Sequence, residues 1–455
     1  MKKKVENLFK NFLSFYEEIK EEKNKATGNI YKQYSENAKD LFASGKLAIP
    51  NKKVEEYRYY NFQKIFKNNF VYYLQKDESK VHSNDLFECD IPNMDAHKAT
   101  LVNGWYSTDK ETNKLTTTKE GVVYGSLLYA YQNGYKEIIN THLNKDINTK
   151  DPLVALNNLF SQDGFFVYIP DNIVVEKPLQ LINLVSALEE VFLSPHSLIV
   201  AGKNSQIKIL LCEHSIFPKY FLNNSIMQII ANKNAHVEYI RLQNTHNESY
   251  QLTNTYIHQS PNSNVKTLTV TLHGGVVRNN IVANLLKGSY HEMYGLYLVD
   301  KGQYVDNWTL INHKEEETTS RELFKGIIDD YATGAFEGKI LVRQDSQKVD
   351  AQQNNKNILL TSDAHVYSQP QLEIYADDVI CSHGSATGQV DEEQLFYLRA
   401  RGIPHKDARL MLLNAFAYDV IKDIPIVPLK EEIVNLVEKR LNGDLSRCNK
   451  CEIKC

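Results

Sequence analysis

Cysteine, glycine and proline are all scarce in this sequence of 455 residues. It contains six cysteines, 20 glycines and 12 prolines. Six cysteines spread thinly over a chain of this length do not make a disulfide framework, so we expect a reducing compartment. The low glycine and proline contents exclude collagen-like sequence and low-complexity linkers.

The sequence also lacks long apolar runs and an excess of charge of either sign. No run approaches the roughly 18 apolar residues of a membrane helix, and no apolar signal core follows Lys2, Lys3 and Lys4. There are 52 Lys and Arg against 56 Asp and Glu, a net charge of −4, without the basic excess of a dedicated nucleic-acid binder. We therefore expect a cytoplasmic protein that binds neither membranes nor nucleic acid.

Motifs for nucleotide binding and serine hydrolysis are absent as well. The chain has no G-x-x-x-x-G-K-[ST], no G-x-G-x-x-G and no G-x-S-x-G sequence. The nearest candidate, Gly334 followed by Gly338 and Lys339, fails both the spacing and the final hydroxyl. The chain itself is therefore not expected to hydrolyse ATP.

Short β-like runs follow one another from about residue 164 to about residue 385. Most alternate between apolar and polar residues and are bounded by Asn, Ser, Gly or His. Helical spacing of apolar residues marks the first 45 residues and the chain after Asp391. These patterns predict four parts, which are an N-terminal helical and mixed region, a β core, a C-terminal helical region and a cysteine-containing tail, at residues 1–160, 161–390, 391–445 and 446–455.

A turn with a small residue comes directly before many of these β-like runs. Successive turns of this kind are 26 to 30 residues apart, with one interval of 46. The 46-residue interval fits two turns, one of which lacks the signal. A repeat of this length without intervening helices predicts a β-solenoid, whereas a β-sandwich is the alternative because it also needs many short strands. Few hairpin dipeptides occur, which favours the solenoid. The turn pairs are Asn204-Ser205, Asn234-Ala235, Asn262-Ser263, Gly288-Ser289, Gly334-Ala335 and Asp363-Ala364.

The C-terminal region carries clear helix signals. Asp391 is suited to cap a helix, with Gln394 at the capping-box position and Gly402 as the stop signal. The helix after Pro404 is expected to bury one apolar stripe. Its members are Ala408, Leu412, Phe416 and Val420, reinforced by Met411 and Ala415.

Two groups of residues could bind a metal. In Cys381-Ser382-His383 the thiol and the imidazole are two residues apart on a predicted strand, so they face the same way and could serve one metal. The alternative is a buried structural cysteine beside a surface histidine. Cys448, Cys451 and Cys455 have C-x-x-C-x-x-x-C spacing, which suits zinc or a cluster with one outside ligand; a tail without function is the alternative.

Several stretches in a fixed order carry a family resemblance. Four of them lie between residues 352 and 403, and Ser-Arg-Glu-Leu-Phe-Lys-Gly-Ile at 320–327, Gly-Ala-Phe-Glu-Gly-Lys-Ile at 334–340 and Glu-Tyr-Arg-Tyr at 56–59 accompany them. Together they closely resemble the SufB/SufD family of iron–sulfur cluster assembly proteins. Within it, the motifs Cys-Ser-His-Gly and Leu-Phe-Tyr-Leu-Arg-Ala-Arg-Gly-Ile are similar to the SufD branch. The four stretches are residues 352–360, 370–379, 381–384 and 391–403.

The resemblance implies a mainly β fold, with a right-handed parallel β-helix core between N-terminal and C-terminal helical regions. It also implies a non-catalytic scaffold subunit of an iron–sulfur cluster assembly complex. Such a subunit pairs through its β-helix with a SufB-like paralogue, and two copies of a SufC-like ABC-type ATPase dock on the C-terminal helical regions. A cysteine desulfurase system would be an indirect partner.

The resemblance also assigns roles to particular residues. It implies that His383 is a ligand of a transient iron–sulfur cluster at the interface with the paralogue, together with a cysteine of the other subunit, whereas Cys381 is mainly structural. The cysteine tail is not part of the family pattern, and the resemblance leaves open whether a reduced flavin binds the complex. The residues implied in docking the ATPase are Leu395, Phe396, Leu398, Arg399 and Arg401.

Two other functions stay open on the sequence. One is a SufB-type subunit that carries the thiol site itself. The other is a β-helix carbohydrate lyase or hydrolase, which would need acidic residues clustered on one face of the solenoid. The acid pairs Asp329-Asp330 and Asp377-Asp378 share no common register.

Overall fold

The computed structural model describes residues 1–75, 91, 93–108, 114–217 and 219–443. Helices lie at the two ends of the chain and strands between them. Besides a short 3₁₀ helix at Glu55–Tyr57, the described helices are α1 (Leu8–Ala26), α2 (Lys32–Ala43), α3 (Gln63–Phe66), α4 (Leu127–Gln132), α5 (Lys136–His142), α6 (Pro152–Phe160), α7 (Glu392–Ala400), α8 (His405–Ile421) and α9 (Val427–Leu441).

Six strands accompany the N-terminal helices. They are β1 (Lys2–Val5), β2 (Phe70–Tyr73), β3 (His97–Val102), β4 (Trp105–Ser107), β5 (Leu115–Thr117) and β6 (Val123–Ser126). Strand β3 pairs parallel with the second strand of the central region, and β6 pairs antiparallel with the first. The two sheets of the β core therefore begin within residues 1–160, and the domain boundary drawn there from the sequence stays a prediction.

The central region consists of short strands that follow one another without helices. They are β7 (Phe165–Ile169), β8 (Leu179–Val185), β9 (Val191–Leu193), β10 (His196–Ala201), β11 (Gln206–Ser215), β12 (Phe221–Ala231), β13 (His236–Asn244), β14 (Ser249–Gln259), β15 (Asn264–His273), β16 (Val276–Leu285), β17 (Tyr290–Val299), β18 (Tyr304–His313), β19 (Thr319–Ile328), β20 (Thr333–Val342), β21 (Val349–Leu359), β22 (His365–Ile374) and β23 (Val379–Gly388).

These strands form a β-solenoid of about eight turns, as the repeat predicts. From β10 to β23 each strand pairs in parallel with the strand two further along the chain, so the even-numbered strands form one sheet and the odd-numbered strands another. The parallel pairing excludes the β-sandwich alternative. Each coil buries its inner face on the next, and the inner residues include Ile199, Ile229 and Ile209.

Residues in the left-handed backbone conformation, one above the other in successive coils, form one corner of the solenoid. Asn204, Asn234, Asn262 and Gly288 all have positive φ, and in each the backbone N–H donates to a carbonyl in the corner of the next coil. Side-chain amides stack as well, since Nδ2 of Asn234 donates to Oδ1 of Asn204 at 2.8 Å. Asn and Gly tolerate this backbone conformation, which explains why the signal was readable from the sequence.

The predicted turn at Gly334-Ala335 is wrong, because both residues lie inside β20. The corner continues instead at Glu317 and Lys348, which have φ of 60° and 59°. The 46-residue interval arises because the corner at Glu317 has no turn signal and because Gly334-Ala335, at which the interval ends, is not a corner. Asp363-Ala364 does lie in a turn, but at the opposite corner, between β21 and β22.

The C-terminal helices pack on the outer face of the odd-strand sheet. Nζ of Lys325 on β19 donates to the carbonyl oxygen of Phe416 at 3.1 Å and pairs with Asp419 at 2.9 Å. Hydrogen bonds from Lys325 and Lys422 lower the pKa of Asp419 to about 2. Arg440 of α9 makes two hydrogen bonds of 2.8 Å to the carboxylate of Asp300.

The helix boundaries follow the predicted signals, but the buried stripe of α8 does not. Asp391 accepts hydrogen bonds from the backbone N–H groups of Glu393 and Gln394 at the start of α7. The residues that α8 buries are Ala408, Leu413, Ala417, Val420 and Ile421, whereas Met411 is 50% exposed and Ala415 is exposed. The buried row runs through Leu413 and Ala417, one residue further along than the predicted row of Leu412 and Phe416, which are only partly buried.

Candidate functional site

Cys381 and His383 lie on β23, the last strand of the odd-strand sheet. Among the described residues β23 is paired on one edge only, with β21, and β22 likewise pairs only with β20. We call these two strands the open end of the solenoid. Their unpaired backbone groups are a template for a further strand. Large apolar side chains are exposed there, namely Tyr367, Ile374, Tyr375 and Ile380.

The thiol and the imidazole face the interior side of β23. Cys381 is in register with Ala351 and His383 with Gln353, and both of these partners are fully buried. Cys381 packs against the apolar cluster that contains Ile340, Val349 and Ala351. His383, one rung further along the same face, is exposed because no coil follows β23 in the described chain. The predicted common orientation is thus present, but the two surroundings differ.

Their surroundings suit them to different chemistry. Burial raises the pKa of the Cys381 thiol, so the thiol form is favoured over the thiolate that binds metals. The exposed imidazole of His383 offers a ring nitrogen to an incoming ion. In the described part of the chain no three His, Cys, Asp or Glu side chains are close enough together to hold a metal ion. Within the described residues His383 is therefore not part of a complete metal site.

A buried polar group lies behind His383. Glu322, Gln353 and His383 occupy the same register position on β19, β21 and β23. Oγ1 of Thr309 donates to Oε1 of Glu322 at 2.6 Å, and Nε2 of Gln353 donates to Oε2 at 2.7 Å. Burial raises the pKa of Glu322 to about 7. The buried group of Glu322, Gln353 and Thr309 was not predicted from the sequence, although strand alternation places Glu322 and Gln353 on the interior face.

The next two inward-facing positions of β21, Asn355 and Asn357, also carry buried amides. Oδ1 of Asn355 accepts hydrogen bonds from Asn357 and Ser368, each at 2.7 Å. Oδ1 of Asn357 accepts from the hydroxyl of Tyr297 at 2.6 Å. The hydroxyls of Ser368 and Ser385 lie 2.7 Å apart and join β22 to β23. The interior of the last coils therefore contains a polar row beside the apolar cluster that holds Cys381.

The N-terminal Glu-Tyr-Arg-Tyr motif reaches this end of the solenoid. The ring of Tyr59 stacks on that of Tyr367 with 4.3 Å between centroids, and its hydroxyl donates to Oε1 of Gln369 at 2.9 Å. Arg58 also donates to Oε1 of Gln369. The motif thus fastens β22 to the N-terminal region, a contact that was not predicted from the sequence.

The five residues predicted to dock a partner lie on and just after α7. Phe396 is 73% exposed, Arg399 and Arg401 are exposed, and Leu398 is partly buried. Leu395 is only 5% exposed, so it holds the helix in place and cannot contribute much to a docking contact. Arg401 donates to the hydroxyl of Tyr397 at 2.5 Å. We call Phe396, Leu398, Arg399 and Arg401 the α7 surface.

Two further predictions from the sequence concern the cysteine tail and membrane helices. Cys448, Cys451 and Cys455 lie outside the described residues. No helix of the described chain is both long and apolar enough to cross a membrane.

Comparisons with known proteins cover nearly the whole chain. A family model described as "SUF system FeS cluster assembly, SufBD core domain" matches residues 184–416, and one described as "SufBD protein N-terminal region" matches residues 6–181. The chain is similar to an iron–sulfur cluster assembly SufBD family protein of Synechocystis, with 27% identity over 87% of this chain and 88% of that protein.

Two proteins named SufD are also similar. The iron–sulfur cluster assembly protein SufD of Bacillus subtilis is 26% identical over 71% of this chain and 74% of its own length. That of Escherichia coli is 35% identical over 46% of this chain and 50% of its own length.

Proposed function

The chain belongs to the SufBD family of iron–sulfur cluster assembly proteins. We propose that it is a non-catalytic scaffold subunit in the cytoplasm. In this role it pairs with a SufB-like paralogue and docks an ABC-type ATPase. The observation that carries the proposal is the open end of the solenoid, where His383 lies on an unpaired strand edge. The similarity to proteins named SufD supports the scaffold role over that of a SufB-type subunit.

Pairing through the open end follows from its composition. The free edges of β22 and β23 present backbone N–H and C=O groups that a strand of another chain can satisfy. Exposed Ile380 and Tyr375, at 72% and 62%, supply apolar area beside them. A paralogue built on the same kind of solenoid would present a matching edge, so the two cores would continue as one.

In such a pair His383 would be one ligand of the nascent cluster, which is cargo of the complex. Imidazole is a competent iron ligand, and a neutral histidine in place of a thiolate lowers the negative charge of the site, which favours release of the cluster to an acceptor. The missing ligands, including a cysteine thiolate, would come from the paralogue. Cys381 would stay structural, since its thiol packs in an apolar cluster.

The α7 surface would receive the ATPase. Exposed aromatic and arginine side chains are enriched at protein interfaces, and Phe396 stands beside Arg399 on a short capped helix. The ATPase would supply the hydrolysis for which this chain has no phosphate-binding loop, while α8 and α9 connect the docking helix to the solenoid.

His383→Ala tests the ligand role. We expect the purified complex of this chain with its paralogue and ATPase to assemble normally but to form no cluster with ferrous iron and sulfide, because one ligand is lost. The matched control is His365→Ala, an exposed histidine on β22 of the same coil. Size-exclusion chromatography measures assembly and optical absorbance measures the cluster. Unimpaired cluster formation in the His383 variant would refute the ligand role.

A further inference from the structure

Gln353 is a fully buried amide with one atom left unpaired. Its Nε2 donates to Glu322, but its Oε1 has no hydrogen-bond partner among the described residues. The oxygens of the two other inward amides of β21, Asn355 and Asn357, are both engaged. The unpaired acceptor is thus at the position whose register partner is His383.

The orientation of the Gln353 amide is determined by its neighbours. A carboxylate oxygen of Glu322 accepts, so the NH₂ group of Gln353 must face β19. β19 and β23 flank β21 on opposite sides, so with its NH₂ group on Glu322 the Gln353 amide still has its oxygen to offer to a donor on β23. Thr309 fixes the other oxygen of Glu322 in turn.

Strand β20 of the opposite sheet leaves room for the Gln353 amide only because residue 338 is a glycine. A Cβ at Gly338 of β20 would lie 2.5 Å from Nε2 of Gln353. The amide is therefore held between a carboxylate and a backbone surface, with little freedom to turn. Adjacent strands are about 4.8 Å apart, so a ring nitrogen of His383 lies within reach of the Gln353 oxygen when the ring turns inward.

We propose that Gln353 is a positioning residue for His383. Its Oε1 accepts a hydrogen bond from one ring N–H, which fixes the tautomer and leaves the lone pair of the other ring nitrogen directed out of the open end. Ligating histidines are commonly held in this way by an acceptor on the second nitrogen. In the isolated chain the ring is exposed and the bond is absent; exclusion of water by the paralogue would form it. The inference rests on the proposed function, because it assumes that His383 meets its ligand at that interface.

Three variants separate positioning from structure. Gln353→Leu removes the acceptor. The double change E322Q with Q353E exchanges the amide and the carboxyl group, so both groups are kept and an acceptor is still available to His383. Gln243→Leu is the matched control, because Gln243 also donates to a buried glutamate, Glu213, at 3.1 Å, but lies on β13 far from the open end.

The readouts are the tautomer of His383 and the affinity for ferrous iron alone, both in the complex with the paralogue. Solid-state ¹⁵N spectra of the metal-free complex with labelled histidine report the tautomer, with His383 assigned by its loss in His383→Ala. We expect one tautomer in the wild type, in the exchanged double variant and in Gln243→Leu. Gln353→Leu should show both tautomers and bind iron at least about 10-fold more weakly.

A single tautomer with unchanged iron affinity in Gln353→Leu would overturn the inference. Mixed tautomers of His383 in the wild type would also overturn it, and this result can be obtained even if the leucine variant does not fold. Failure of the proposed function looks different. In that case His383→Ala leaves cluster formation intact, whatever the state of the His383 ring.

Discussion

At the scale of single residues, the chemistry of the open end depends on which polar groups are buried. Glu322 shows this best, because its carboxylate is enclosed in the solenoid with only Thr309 and Gln353 as partners. Burial disfavours the charged form and raises its pKa from 4.5 to about 7. An acid whose pKa is raised on folding stabilises the folded protein below its unfolded pKa, and this stability is lost as the pH rises through the folded pKa.

Glu322→Gln should therefore flatten part of the pH dependence of stability. Between pH 4.5 and about 7 the wild type loses on the order of 3 kcal/mol through this group, whereas the amide does not titrate. Chemical denaturation at a series of pH values measures the difference. The exposed Glu137→Gln on α5 is the control and should keep the wild-type slope. Equal slopes in Glu322→Gln and the wild type would contradict the assignment.

Residue by residue, the sequence located His383 and Cys381 but not the group behind them. Strand alternation predicts that both face one side, and the register confirms it. The stack of Glu322, Gln353 and His383 depends on pairing between residues about 30 positions apart. A sequence without a known register does not supply that pairing, since a shift of one residue would turn each side chain to the other face.

At the scale of elements, the solenoid was predictable where its corners use Asn or Gly and not where they use Glu317 or Lys348. The helix α7 was predictable from its cap, Asp391, and its stop, Gly402, which has φ of 88°. The contact of the N-terminal motif with β22 was not predictable, because it joins segments about 310 residues apart in the chain.

The N-terminal motif should stabilise the last coil locally. Tyr59→Ala removes the ring stacked on Tyr367 and the hydrogen bond to Gln369, so β22 and β23 are expected to exchange amide hydrogens faster than in the wild type. Tyr59→Phe keeps the stacked ring and should change the exchange much less. Hydrogen–deuterium exchange of the two variants measures this. Protection in β22 that is the same in all three proteins would show that the motif does not fasten the coil.

The α7 surface should account for binding of the ATPase. Truncation of an exposed aromatic residue at the centre of an interface commonly weakens binding, so Phe396→Ala is expected to lower the affinity at least about tenfold. Tyr331→Ala, which removes a 67% exposed aromatic side chain from a solenoid turn, is the matched control. Titration calorimetry with the purified ATPase gives both affinities. Equal affinities for the two variants would exclude the α7 surface as the docking site.

At the scale of the whole molecule, the C-terminal helices and the open end of the solenoid present two different surfaces. The helices α8 and α9 lie on the outer face of the odd-strand sheet, held by Lys325 and Arg440, and the open end of the solenoid carries His383. Helix α7 follows β23 directly in the chain. A scaffold of the proposed kind would bind an ATPase at one of these surfaces and a cluster at the other.

Native mass spectrometry of the tagged chain, purified anaerobically from its own cells, tests whether this chain works as part of a complex. We expect a particle that contains one copy of this chain, one SufB-like paralogue and two copies of an ABC-type ATPase. We also expect the paralogue to be lost when Ile380 at the open end is changed to Lys, while the ATPase stays bound. Recovery of the chain alone, at native expression and low salt, would show that the chain does not work in such a complex.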